Sequence, residues 1–247
     1  MDDVTENGLL DGRLRLRQPA RGYRAGLDAA LLAAACDAKP MQRVIEAGCG
    51  VGAALLTAAV RRPEAHFLGV ERDADALGLA QENIALNGLS ARVSAISGDV
   101  AARFSALRLP AFDAAMSNPP FFDDPQALRG PAPERRGAWM ADAGLAAWTR
   151  FLTKAVREGG SVTIIHRADR LADLLALLAA DKCGSFQIRP IQPFADEPAK
   201  RVLVRAIKTG KAPLALLPAL VLHDRGGAKH RAEVEAILRG EAGVGWL

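Results

Sequence analysis

Paired cysteine is the first thing this sequence lacks. Its three cysteines, Cys36, Cys49 and Cys183, stand far apart with no C-x-x-C among them, which excludes a disulfide scaffold and a cysteine-based zinc module. Long hydrophobic runs are missing as well. The longest, such as Ala29 to Cys36, reach about eight residues, well short of the ~20 that a membrane helix needs. The opening Met1-Asp-Asp-Val-Thr-Glu is acidic with no apolar stretch behind it, so no secretory signal is read and a cytoplasmic protein, without a membrane partner, is expected. There is no G-x-S-x-G nucleophile elbow, no Walker sequence, no internal repeat and no low-complexity tract. His230 and Glu233 share a helix face near the end but no third ligand accompanies them, so no metal is expected.

What is present is a chain of 247 residues, 50% hydrophobic and 24% charged, enough to bury one sizeable core. The net charge of +4 is unevenly spread. Residues 1–123 carry 13 Lys/Arg against 15 Asp/Glu, and residues 124–247 carry 19 against 13. A second basic run, Arg13, Arg15, Arg17, Arg21 and Arg24, marks the amino end. Such a bias permits a polyanionic partner without requiring one.

The middle of the chain alternates short apolar runs with helical patterns. Strands are expected at Val44-Ile45, His66 to Val70, Arg92 to Ile96, Phe112 to Met116 and Ser161 to Ile165. Helices are expected at Asp28 to Ala38, Ala53 to Val60, Asp73 to Leu86, Leu145 to Val156 and Asp169 to Ala180, the last with Asp169 as its cap. Strands separated by helices of this length imply βαβ units with parallel pairing. Near the end Ser185 to Ile191 and Lys200 to Lys208 have no helix between them and read as an antiparallel hairpin at the sheet edge. The expectation is a single α/β domain over residues 41–247, preceded by a short segment, residues 1–40. The apolar stretch Pro213 to Leu222 fits either packing on the sheet or a subunit contact.

The sharpest local signal is Val44-Ile-Glu-Ala-Gly-Cys-Gly-Val-Gly52. Glycines 48, 50 and 52 follow a strand and precede a helix, where their missing Cβ permits a tight turn and close ligand approach. Glu71 ends the next strand, 21 residues after Gly50, where a carboxylate can take both hydroxyls of a ribose. Gly48-x-Gly50-x-x-Ala53 also satisfies the dinucleotide pattern, so a nicotinamide dinucleotide fits this much of the sequence too. Asp99, at the end of the third strand, tips the balance: a carboxylate there can accept an adenine amine, and can also cap the segment after it.

Asn118-Pro-Pro-Phe121 directly follows the fourth strand. The prolines fix φ and remove donors, making a rigid loop at the sheet edge. The Asn118 side-chain carbonyl and the Pro119 backbone carbonyl then offer two adjacent acceptors for an NH₂ group, and Phe121 can stack on a flat ring. Holding both N–H groups favours a pyramidal nitrogen whose lone pair can reach an electrophile, so positioning replaces a titrating base.

On these residues the sequence resembles class I S-adenosylmethionine (SAM)-dependent methyltransferases of the amino-methylating N-P-P-[FYW] type, over residues 20–208. The stretch Gln18 to Ala33 is similar, more specifically, to bacterial tRNA adenine-N6 methyltransferases, which act next to the anticodon of a valine tRNA. The resemblance implies a Rossmann-like, seven-stranded, mostly parallel α/β sheet with helices on both faces. It implies SAM as cofactor, with Gly48, Gly50 and Gly52 at its methionine end, Glu71 at its ribose and Asp99 at its adenine, and with Glu46 among the cofactor-binding residues. Tyr23, Arg24 and Asp28 match the segment that closes over SAM. Asn118, Pro119, Pro120 and Phe121 would hold the target base, and the partner would be an RNA, most simply tRNA. Arg129, Arg135, Arg136 and the amino-terminal arginines are candidate phosphate contacts, and Lys200, Arg201 and Arg205 would extend that surface. Glutamine methyltransferases of release factors share N-P-P, so a protein glutamine is the alternative acceptor. A non-catalytic RNA-binding protein with the same fold is the alternative from another class.

Overall fold

The computed structural model describes residues 4–20, 26–120 and 144–246. The chain opens with a hairpin that the sequence reading does not anticipate, β1 (Val4–Leu9) and β2 (Leu14–Pro19). Alternation explains it: Leu14, Leu16 and Gln18 are buried while Arg15 and Arg17 face outward. Helix α1 (Leu27–Ala35) follows. Next come β3 (Arg43–Ala47), α2 (Ala53–Arg61), β4 (His66–Glu71), α3 (Ala74–Leu86), β5 (Val93–Ser97) and β6 (Phe112–Ser117). Asp73 caps α3 by accepting from the N–H groups of Asp75 and Ala76. Asn87 and Gly88, the latter at φ +66°, end it.

Helix α4 (Leu145–Ala155) passes into β7 (Val156–Arg167) with no loop between them. The sequence reading stops that helix at the glycine pair and starts the strand at Ser161. Instead Gly159 and Gly160 lie within the strand, where the pairing slips between Phe112 and Ala114 of β6. A Cβ on Gly160 would sit 2.9 Å from the carbonyl oxygens of Asp113 and Arg157, so the glycine serves close backbone approach at a bulge. Asp169 is not a cap. It pairs with Arg167, and α5 (Leu171–Ala180) starts after Arg170.

The last elements are β8 (Cys183–Gln192), β9 (Arg201–Lys208), two two-residue strands, β10 (Ala215–Leu216) and β11 (Leu220–Val221), and α6 (Ala232–Leu238). Seven strands form the expected sheet in the order β5-β4-β3-β6-β7-β9-β8, with β10 and β11 added on β8. Strands β3 to β7 are mutually parallel. The antiparallel strand, β9, is inserted between β7 and β8 rather than lying outermost. Residues 213–222 therefore have a place on the sheet, with Leu217 and Leu220 buried.

Each face of the sheet carries a core, because successive strand residues point to opposite sides. Val44 and Leu203 join Leu31 and Leu32 of α1, Leu55 and Leu56 of α2, and Val234 of α6. Ile45 and Val204 join Trp148 and Leu152 of α4 and Leu174 of α5. The carboxyl-terminal tail closes over the first of these. The Trp246 indole N–H donates to the Ala35 carbonyl at 2.7 Å, and the Arg61 guanidinium donates to the carbonyls of Ile237 and Ala242.

Candidate active site

Four strand ends stand in register. Ser117 pairs with Ala47, Ala47 with Val70, and Val70 with Ile96. The next residue on each strand, Asn118, Gly48, Glu71 and Ser97, therefore forms one row along the carboxyl edge. At ~4.8 Å between strands the row is about 14 Å long, and it lies where open α/β sheets bind ligands.

The glycine turn leaves β3 with Gly48, Gly50 and Gly52 at φ +66°, +54° and +88°, a region that side chains strain. At Gly48 space is closed as well: a Cβ would lie 2.7 Å from Cζ3 of the Trp148 ring. The N–H groups of Gly48 and Cys49 donate to Val70 O, tying the turn to β4. Gly52 caps α2.

Glu71 is buried, and its carboxylate accepts from the N–H groups of Gly50, Arg72 and Asp73, each at 2.9 Å. A carboxylate offers about four acceptor positions, so one remains for a ligand and the other three fix its aim. Glu46 lies beneath the turn, 3% exposed. Burial first, and the nearby Glu71 charge second, push it well above the usual carboxylate range, against a smaller opposing pull from the Leu55 N–H. Its Oε2 has no hydrogen-bond partner among the described residues. Cys49 is buried and its thiol is pushed up by that burial and then by Glu46, so it fills space and is no nucleophile.

Asp99 caps the segment after it. One oxygen accepts from Ala101 N at 2.8 Å, the other lies 3.8 Å from Arg72 Nη1, and the side chain is 45% exposed at the edge. Ser117 Oγ donates to the Ala47 carbonyl at 2.8 Å, pinning the end of β6 to β3 just before Asn118, Pro119 and Pro120. Phe121, Tyr23, Arg24, Arg21, Arg129, Arg135 and Arg136 lie outside the described residues. Asp28, on the first turn of α1, is ion-paired with Arg201 of β9 at 3.0 Å.

The arginines sort differently from the sequence reading. Arg201 and Arg205 are held by Asp28 and Asp37, so these pairs clamp α1 to the sheet and offer little charge to a partner. Arg13 donates to the carbonyls of Leu10 and Arg239. Arg15 and Arg17, on the outer face of the hairpin, share Glu6 in ion pairs at 3.5 and 3.1 Å, and Arg17 lies 4.0 Å from Glu82 as well; they stand 55% and 43% exposed, more open to a partner than Arg201 and Arg205. His230 bonds Glu235, not Glu233, at 2.8 Å. Among the described residues no cluster of three or more His, Cys, Asp or Glu could hold a metal, and no helix is long and apolar enough to cross a membrane.

Two residues near the site carry little signal in the sequence. Asn83, fully buried on α3, bonds both β2 and the glycine turn; two asparagines at helical i, i+4 spacing were its only signal. His166, at the end of β7, falls level with Pro119 if the β6–β7 register is continued. It is 3% exposed, and burial, then Arg201, lowers its pKa to about 4.

Residues 24–129 match the family described as Methyltransferase small domain. That stretch holds the glycine turn, Glu71, Asp99 and Asn118. The chain is a SAM-dependent methyltransferase. The tRNA1(Val) (adenine(37)-N6)-methyltransferase of Porphyromonas gingivalis is 28% identical to it over 200 residues, 77% of each chain. The release factor glutamine methyltransferase of Chlorobaculum tepidum is 27% identical over 158 residues, 61% of this chain and 54% of that one. A solved structure from Agrobacterium tumefaciens, described as a predicted O-methyltransferase, superposes with a TM-score of 0.74 at 26% identity, covering 87% of this chain and 97% of its own. The methyltransferase also meets the cofactor's chemistry locally. Its turn has no room for a Cβ at Gly48, Glu71 keeps one acceptor position, and Glu46 Oε2 is a buried polar atom without a hydrogen-bond partner among the described residues.

Proposed function

We propose that this methyltransferase modifies the exocyclic N6 of an adenine in tRNA. The observation that carries the reading is the row of strand ends, which sets Asn118 one strand from Gly48 at the same height. An amine held at Asn118 therefore lies beside whatever the glycine turn holds. The match to a tRNA adenine-N6 methyltransferase over 77% of both chains favours adenine over other amines. The glutamine methyltransferase match is shorter.

In this reading Gly48, Gly50, Gly52 and Glu46 cradle the methionine end of SAM, Glu71 holds its ribose, and Asp99 receives its adenine amine. Bound SAM supplies a methyl on a sulfonium; the new C–N bond forms as the C–S bond breaks, S-adenosylhomocysteine leaves, and the surplus amine proton passes to solvent. The carbonyls of Asn118 and Pro119 accept the two N–H bonds of the target amine, Pro120 stiffens the loop, and Phe121 stacks on the base. Residues 1–40 form the segment that closes over the cofactor, with Tyr23, Arg24 and Asp28, while residues 41–247 form the catalytic domain. Arg129, Arg135, Arg136, Arg15 and Arg17 meet RNA phosphates, and the enzyme works in the cytoplasm.

The test is transfer of labelled methyl from SAM into separate pools of unmodified tRNA, ribosomal RNA, DNA and release-factor protein, followed by nucleoside analysis. Label recovered as N6-methyladenosine from tRNA is the expected result; label only in protein moves Asn118 to glutamine chemistry. Asn118→Ala is expected to reduce transfer at least about 100-fold with SAM affinity nearly unchanged. Wild-type turnover in that variant overturns the role of the loop.

A further inference from the structure

A helix does not ordinarily pair with a strand edge, yet α3 does so here. The Arg17 N–H donates to Asn83 Oδ1 at 2.8 Å, and Asn83 Nδ2 returns a bond to the Arg17 carbonyl at 2.8 Å. Four residues on, the Arg15 N–H donates to Asn87 Oδ1 at 2.9 Å, and Asn87 Nδ2 returns a bond to the Arg15 carbonyl at 2.7 Å. The spacing makes this work. Four helical residues rise about 6 Å and two strand residues about 6.7 Å, so two carboxamides match successive outward peptide groups of β2. The two asparagines act as a third strand for the hairpin.

Asn83 does one thing more. Its Nδ2 also donates to the Val51 carbonyl at 3.0 Å, inside the glycine turn. Asn83 is 0% exposed, so water cannot replace either bond. One rigid amide thus fixes both the hairpin that carries Arg15 and Arg17 and the loop assigned to SAM. Asn87 makes no such bond to the turn among the described residues; its second partner is the Asn83 carbonyl on its own helix.

We infer that Asn83 is a positioning residue that couples the two substrates: tRNA on the arginine face of the hairpin tightens cofactor binding at the turn, and cofactor tightens tRNA. Phosphates that take Arg15 and Arg17 from their shared Glu6 restrain β2, β2 restrains the Asn83 amide, and the amide restrains the Val51 carbonyl. Such coupling is reciprocal by linkage. The inference rests on the tRNA reading given above.

The measurement is calorimetric affinity for S-adenosylhomocysteine, which cannot react, with and without unmodified tRNA. Wild-type protein is expected to bind it at least about 5-fold more tightly with tRNA present. Asn83→Ala is expected to lose that gain, whereas Asn87→Ala, which spares the Val51 bond, keeps most of it. The double variant Arg15→Gln, Arg17→Gln, with Asn83 intact and substitutions only at the surface, is expected to lose the gain too, so the test survives misfolding of Asn83→Ala. Methyl transfer to tRNA with no effect of tRNA on wild-type affinity overturns the coupling alone, as does a full gain in the double variant. No transfer to tRNA and no tRNA binding overturns the RNA reading, and the coupling with it.

Discussion

His166 refuses a proton that the unfolded chain would take. Its ordinary pKa of 6.5 falls to about 4 in the fold, first through burial and then through the Arg201 charge. Between those values the unfolded state binds more protons, so stability is present above about pH 6.5 and is lost as pH falls toward 4. The full loss is about 3 kcal/mol. Urea midpoints measured from pH 7 to pH 4.5 should fall steeply in the wild type and less in His166→Gln. Equal falls would place the acid sensitivity elsewhere. Glu71 and Asp99 were legible as carboxylates on the carboxyl edge because the strands they end and follow are marked by local apolar runs. His166 was not: nothing local distinguishes a histidine buried level with Pro119 from one buried anywhere else, since its neighbour Arg201 comes from a strand 35 residues away.

At the scale of elements, the glycine turn and the helix across from it form one unit. Trp148 of α4 fills the space that a side chain at Gly48 would need. Gly48→Ala is therefore expected to move the indole, strain a residue at φ +66°, and abolish cofactor binding while helix content stays. Gly78, on α3, meets nothing among the described residues within 4 Å of an added Cβ, so Gly78→Ala should raise stability by about 1 kcal/mol. Cofactor titration and thermal unfolding of both variants check this, and retained binding in Gly48→Ala would deny the turn its steric role. The parallel strands and their helices were readable because hydrophobic period and glycine punctuation are local. The β1–β2 hairpin was not: its pairing partner, the two asparagines of α3, lies more than sixty residues away, and only β2 shows alternation. The abrupt passage from α4 to β7 was hidden for a related reason, as a bulge glycine and a helix-ending glycine look alike in sequence.

Across the whole molecule, residues far apart in the chain close the face that carries α1 and α2. The tail returns to Ala35 through Trp246, Arg61 holds the end of α6, and the Val244 N–H donates to Ala34 O at 3.0 Å. Trp246→Ala loses a hydrogen bond and a half-buried ring, about 2 kcal/mol together, and should lower Tm by about 6 °C. Cofactor affinity below that temperature should not change, because the tail lies under the helices and away from the carboxyl edge; a weakened affinity would show that the tail reaches the site.

The insertion of β9 between β7 and β8 sets an order on the ribosome. Strands β3 to β7 can pair as each emerges, but β8 has nowhere to join until residues 201–208 are made. Until then β7 presents a bare hydrophobic edge, the kind of surface that recruits stray strands. The nascent chain is thus most exposed to misassociation late in synthesis, when most of it is already built, and a stop codon before residue 201 leaves a product with two unmet edges.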